Sequence, residues 1–514
     1  ASADLSPLGE TLSAYDLVLR NAPENPAPQK TAAEFLPYLL QSGVWVRPRT
    51  LHAFGMVAAA LAPESLGQDA PLFASYRTAM AASPAMTSSA KRELDRVERD
   101  LFSPSDGEGV RCAARFFDLP GPDGAASNIR NPVAAEGRVW FIDAHAERVV
   151  GWDPVADVQE SIPYGKALTG HLPAVDLAVG PRCLFLRADN LLWQYDRAKQ
   201  TWLRLDLPPA VYSASTAAGT TALLYRPLGE EKDGGGVLAL NPDTQATETI
   251  LSSRSNPPRN ELDGRTDARG ISLRASDDGA LDYVVKLATT NASAEFRSWG
   301  DHHDDLYTRK AAASSWERVL SVSSTFTNVN HLAYYPTPGG ALLVVRNRLG
   351  STNLSDFGQL VSWDRASGKV TLLLSNPAAV HPPVEGVAQW EMPPDLACTE
   401  ATPAVMMVPA MQGGVLWVLR WERRGREQGV RFPAVYRFRP GVPQGERVAI
   451  DFDPEMGLSP NARRGAVRRL HPGDVAVHAS GFVLERSPEL GLWYLPFAAL
   501  NQALDQTRSA EATP

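Results

Sequence analysis

Two patterns of apolar and polar residues divide the chain, and the change falls near residue 105. Up to Ser103 apolar residues recur at helical spacing. Ser6 and Pro7 supply an N-cap and a first-turn proline, and Leu8, Leu12, Tyr15 and Leu19 follow on one face, weakened by Gly9. A second helix is predicted over 31–41, apolar at Phe35, Leu36, Leu39 and Leu40, kinked or divided by Pro37 and stopped by Gly43. Three more are predicted over 50–61, over 72–82 and from Thr87, Ser88 or Ser89 through Leu94, Val97 and Leu101. Residues 1–103 are therefore expected to form a small α-helical domain for packing or docking, followed by a linker over 104–107.

From about residue 108 the pattern changes to short β-rich runs with turn residues between them. One unit recurs: an inner strand, a Gly turn, an apolar strand, a third strand with an aromatic near its end, a polar turn and a last strand. Its clearest copy runs Gly137-Arg138-Val139-Trp140-Phe141-Ile142-Asp143, then Val149 to Pro154, then Val158 to Ile162. Further copies begin at Gly180, Gly219, Gly279, Gly339-Gly340, Gly413-Gly414 and Gly481, which makes seven. A spacing of roughly 40 to 75 residues is the period of propeller blades with loop insertions. A single unit leaves both faces open, whereas a ring of units covers them. The fold class expected is mainly β, a seven-bladed β-propeller over 108–497 preceded by the helical domain, with a C-terminal helix and tail over 498–514. The last unit lacks a fourth strand after Trp493-Tyr494, while an orphan strand, 111–119, precedes the first. Residues 108–120 are expected to close the last blade as its outer strand.

The endings Trp152-Asp153, Tyr195-Asp196 and Trp363-Asp364, each before a turn, resemble the broad superfamily of kelch, quinoprotein-like and WD-type propellers. The resemblance covers residues 108–497 and implies the fold. The Gly-His element of WD repeats is missing and the full Trp-docking motif of quinoprotein repeats is not matched, so it implies no quinone cofactor.

Composition narrows the function classes. With 50 Lys and Arg against 58 Asp and Glu, the net charge is −8, which argues against a dominant nucleic-acid or anionic-membrane surface. No uninterrupted apolar stretch is long enough to span a bilayer. The three cysteines, Cys112, Cys183 and Cys398, form no CxxC pair and no complete disulfide framework. The start Ala1-Ser2-Ala3-Asp4 leans toward export after signal-peptide removal, or toward loss of an initiator Met alone.

Topology then restricts the site. In an up-and-down blade the first-to-second and third-to-fourth turns share one face, and all of these are short here. The long insertions, 252–268, 289–304, 347–357, 376–402 and 422–432, belong to the other face and to blades three to six. Its candidate binding residues are Arg254, Arg259, Arg265, Arg269, His381, Glu385, Arg423 and Arg424. The Arg254–Arg269 set is interleaved with acids, as in a mixed solvated loop. Asp301, His302, His303, Asp304 and Asp305 carry divalent-metal or acid–base chemistry in principle, although residues adjacent in sequence rarely converge on one ion and a solvated loop is the plainer reading. His331, His471 and His478 fall on or beside inner strands, lining the channel or serving structure. GxSxG, HExxH and Walker motifs are absent. Asp356-Phe357-Gly358 echoes a kinase triplet without kinase-like surroundings. No cofactor is predicted. The function expected is non-catalytic binding or assembly, with a loop-rich face presented to a protein partner. The alternative is a propeller hydrolase or lyase acting on a carbohydrate at the channel mouth.

Overall fold

The computed structural model describes residues 110–117, 129–165, 168, 174, 176–217, 220–228, 235–252, 266–276, 278–289, 302–311, 313, 315–324, 328–349, 356–377, 383–393, 396, 404–423, 430–452, 475–487 and 491–511. The helical domain and linker expected over 1–107 lie outside these residues. What is described is a seven-bladed β-propeller. No helix in it is long and apolar enough to cross a membrane.

Six blades follow one another along the chain. They are β2–β5 (Ile129–Ala135, Arg138–Asp143, Arg148–Asp153, Val158–Pro163), β6–β9 (Asp176–Val179, Cys183–Ala188, Leu191–Asp196, Thr201–Arg204) and β10–β13 (Ala210–Ala217, Thr220–Pro227, Gly236–Leu240, Thr247–Leu251). Next come β14–β17 (Thr266–Ala275, Leu281–Thr289, His302–Arg309, Glu317–Ser324), β18–β21 (Asn328–Thr337, Gly340–Leu349, Asp356–Asp364, Val370–Ser375) and β22–β25 (Ala404–Gln412, Val415–Arg423, Val430–Phe438, Glu446–Phe452). Within each blade the four strands pair in sequence order.

The seventh blade takes three strands from the end of the chain and one from before the first blade. β26 (Val475–His478), β27 (Gly481–Ser487) and β28 (Gly491–Pro496) are joined by β1 (Val110–Phe117). β1 divides its pairing between two blades. Val110 to Ala114 run parallel to Val448–Phe452 of β25, and Arg115 to Phe117 then pair antiparallel with Leu492–Tyr494 of β28. The last two blades thereby share one eight-stranded sheet.

Each blade buries both faces, so its second strand reads as a continuous apolar run rather than an alternation. Val139-Trp140-Phe141-Ile142 is fully buried. Trp140 and Ile142 pack toward the second blade, while Val139 and Phe141 pack toward the seventh. Among the described residues one apolar cluster fills each seam around the ring. Gly151 lies opposite Trp140 because an added Cβ would come within 2.7 Å of that indole ring.

The aromatic–Asp endings are explained by turn chemistry. The carboxylate of Asp153 accepts the backbone N–H groups of Val155 and Ala156, Asp196 accepts those of Ala198 and Lys199, and Asp364 accepts that of Ser367. Asn241 does the same for Asp243 and Thr244. Four residues after each of these, the backbone turns left-handed, at Asp157, Gln200, Gln245 and Gly368. The Asx side chain replaces backbone partners that a tight turn cannot offer, so these four blades reverse in few residues.

The short-turn face also holds polar ties between blades. Asp282, which is 1% exposed, accepts from Thr308 Oγ1 of its own blade at 2.9 Å and from Tyr334 Oη and Arg365 Nη2 of the next blade. Burial first, and then the Asp282 carboxylate, push the Tyr334 hydroxyl well above its usual range. His478 closes the seam between the seventh and first blades. Its Nε2 lies 2.9 Å from Gly137 O and its Nδ1 2.6 Å from Ser480 Oγ, which also receives Tyr494 Oη. A C-terminal helix, α1 (Phe497–Glu511), starts on this face. Phe497 stacks on Trp417 at 5.2 Å, and buried Arg437 donates to Glu446, Asn501 and Asp505.

Candidate functional site

The face opposite these ties is uneven. Short turns hold the bases of all the blades level, so differences in strand length appear on the other side. In the fourth to sixth blades the second strands have 9, 10 and 9 residues, against 6, 6 and 7 in the first, second and seventh. Two to four extra residues raise this sector by roughly 7–13 Å at the usual strand rise. The connections on top repeat the contrast. Asp189 and Asn190 alone join β7 to β8, whereas residues 290–301 separate β15 from β16. The result is a wall over blades four to six beside a low floor over blades seven, one and two.

The strand continues into sequence that reads as loop. His302 to Asp305 belong to β16, paired with Asp305-to-His302 partners on both sides: Val285 to Ala288 and Ser321 to Ser324. Strand alternation then separates neighbours. Asp305 is buried and accepts from Ser321 Oγ at 2.6 Å and Tyr307 Oη at 3.1 Å within its own blade. Asp304 turns to the next blade, where its Oδ2 accepts the Leu332 N–H at 3.0 Å and lies 3.4 Å from His331 Nδ1. Its Oδ1 is buried without a hydrogen-bond partner. Asp304 is thus bonded to the next blade and Asp305 within its own rather than both to one ion, and Asp301 lies outside the described residues. Among the described residues no group of three or more His, Cys, Asp or Glu is arranged to hold a metal.

His331 is on inner strand β18 with its side chain 42% exposed, opposite Arg346 of β19. It combines a buried carboxylate on one side with solvent on the other, and its position beside Asp304 could not be read from residues 27 apart in sequence. His478 is a buried tie on the short-turn face, and His471 lies outside the described residues.

The segment over 376–402 differs from the expected free insertion. Its described part runs down the flank between the fifth and sixth blades. Gln359 clamps it near the top, donating to Val384 O and accepting Val384 N–H. Lower down, the backbone N–H groups of Gln389, Trp390 and Glu391 donate to Leu372 O, Leu373 O and Pro443 O, and the Trp390 indole donates to Arg439 O at 2.9 Å. The driving force is apolar: Trp390 and Leu396 bury in the seam with Met407 and Phe438. These two large side chains, Trp390 and Leu396, are the sequence feature that could have signalled a strap. Glu385 and Val387 remain exposed on it.

Of the remaining candidate binding residues, Arg269 lies in β14 opposite Lys286, and Arg423 ends β23 opposite Ala404 and Val430. Both belong to the raised wall. Arg254, Arg259, Arg265, His381 and Arg424 lie outside the described residues.

No family model matches the chain, and no curated protein matches it. Solved structures do resemble it. Virginiamycin B lyase from Staphylococcus aureus is 11% identical, with 75% of this chain and 99% of that chain covered and a TM-score of 0.39. The N-terminal domain of Nup159 is 11% identical, with 75% and 96% covered and a TM-score of 0.36. The GH74 xyloglucanase from Xanthomonas campestris is 16% identical, with 74% and 53% covered and a TM-score of 0.39. The likeness concerns blade architecture, which the strand pairing of this chain establishes independently.

Proposed function

We propose that this protein is a non-catalytic binding or assembly protein that uses the raised wall of blades four to six to dock a protein partner. The height difference carries the reading: the second strands of those blades reach 9 or 10 residues against 6 or 7 in the low sector. Long strands add ladder hydrogen bonds that make the upper ends of these blades a stiff platform, and a rigid platform lowers the ordering cost of association. The opposite face is occupied by internal ties such as Asp282–Arg365 and by α1. That division of labour favours recognition on one side of one face.

Site-specific photo-cross-linking in the native source tests this. A photoreactive residue at Leu349, at the top of β19, is expected to trap a stoichiometric protein partner, and one at Asp189, in the low β7–β8 turn, is not. Adducts at Asp189 alone, or at neither position, would refute the docking reading.

A further inference from the structure

β1 is held in the ring by strands from the far end of the chain, and it does more than complete blade seven. Val110 to Ala114 pair with the outer strand of blade six, β25, and Arg115 to Phe117 pair with β28 of blade seven. The strand thus fills a slot between the peripheries of these two blades. The slot is apolar as well as hydrogen-bonding. Cys112, 6% exposed, is buried in one cluster with Val448 and Ile450 of β25, Trp493 and Leu495 of β28, and Leu500 and Leu504 of α1.

An empty slot would leave two strand edges unpaired beside an apolar cluster, so the ring requires a strand there. The backbone pairing and the apolar contacts are the same whichever copy of the chain supplies that strand. An unrelated segment would have to match a parallel half and an antiparallel half in succession, whereas β1 of a second copy does so by identity. A chain's own β1 is favoured only because it is tethered to β2, through the eleven residues 118–128. From an outer strand position to an inner one is three strand spacings, about 14 Å. Eleven residues reach up to about 36 Å, which leaves slack for a second ring alongside.

We propose that β1 exchanges between two copies of this chain, each strand filling the slot of the other ring in a two-fold dimer. Exchange of an identical element keeps every native contact of β1, so tethering alone sets the balance between self-closure and exchange. That balance is an effective concentration of about 1 mM for a short connection.

The test uses the full chain carrying Cys183→Ala, Cys398→Ala and Ile450→Cys, which places a thiol at the register partner of Cys112. Adjacent strands hold such Cα atoms about 4.8 Å apart, within disulfide range. The chain is unfolded in urea, refolded, mildly oxidised and run on a non-reducing gel. About a tenth of the chains are expected as covalent dimers after refolding at about 0.1 mM, and fewer than about one in a hundred at about 1 µM. Cys112→Ala in the same background is expected to abolish the dimer band. Cross-links confined to monomers at both concentrations, or a dimer band that survives Cys112→Ala, overturn the inference. The unsubstituted chain, refolded in parallel and sized by light scattering, decides the matter if Ile450→Cys prevents folding. Exchange then requires a dimer that forms at the higher concentration, persists on dilution and is absent after refolding at the lower one. A monomer throughout, or a dimer that dissociates at once on dilution, overturns exchange.

Discussion

Replacing Arg365 tests whether blades four and five are coupled electrostatically as well as by packing. Asp282 and Arg365 have side chains 1% and 9% exposed, and the pair crosses the seam. In Arg365→Met the aliphatic stem is retained over Trp363, whose ring centroid lies 5.3 Å from the guanidinium. What disappears is the cation beside a carboxylate that keeps only the Thr308 and Tyr334 hydroxyls. Stranding a buried charge of this kind costs about 3–5 kcal/mol. The peripheral contact to Asp278, 58% exposed at 3.5 Å, adds at most about 1 kcal/mol. Asp282→Asn alone leaves the guanidinium stranded and costs a similar amount. The double variant removes both charges and is expected to recover most of the loss, for a coupling of at least about 2 kcal/mol. Urea unfolding followed in parallel by tryptophan fluorescence and far-UV circular dichroism measures this, with coincidence of the two probes as the check on two-state treatment. A cost below about 1 kcal/mol for Arg365→Met, or a double variant no more stable than the weaker single, would show that packing alone holds this seam.

Four further outcomes follow from the blades. Gly151→Ala forces the buried Trp140 ring to move and is expected to destabilise by about 1–3 kcal/mol, read as a lower urea midpoint at unchanged slope. Gln200→Gly removes a Cβ from an exposed left-handed position (φ 54°) and is expected to stabilise by about 0.5–1 kcal/mol in the same assay. Backbone N–H groups hold the Asp153 carboxyl below its usual range, and the Ser367 hydroxyl and N–H do so for Asp364. A carboxyl depressed in the folded state stabilises fully above its unfolded pKa, near 4, and loses that contribution as pH falls through the folded value. Asp153→Asn/Asp364→Asn keeps an acceptor without the titration, so its midpoint should fall less steeply than wild type below about pH 4; identical acid slopes would exclude the turns as a source. Deleting 108–120 removes the strand that pairs with both β25 and β28, and a thermal melt unchanged by the deletion would rule out its role in closing the ring.

Much of the fold is local and therefore legible. Gly137, Gly339 and Gly413-Gly414 adopt positive φ between strands, and Trp152-Asp153 announces a turn because the carboxylate caps it. The seven apolar second strands announce blades buried on both sides. Strand ends were less legible. His302 to Asp305 are polar, yet the ladder continues through them because both neighbouring strands extend equally far. The sharing of β1 between two blades was illegible too, since the parallel or antiparallel choice depends on which edges approach it rather than on its own residues. At the site, Arg423, expected within the 422–432 insertion, instead ends strand β23. The Asp304–His331 approach and the Gly137 contact of His478 needed the ring itself, because the partners are 27 and 341 residues apart.

The direction of β1 has an architectural consequence. Val110 lies level with Val448, just above the short turn that opens β25, and the strand climbs from there to Phe117. Val110 therefore enters the sheet at the base of the ring, near the start of α1 and on the side away from the wall. The proposed docking on the wall then predicts that a bulky fusion joined directly at Val110 leaves partner binding intact, whereas the same fusion inserted between β19 and β20 abolishes it.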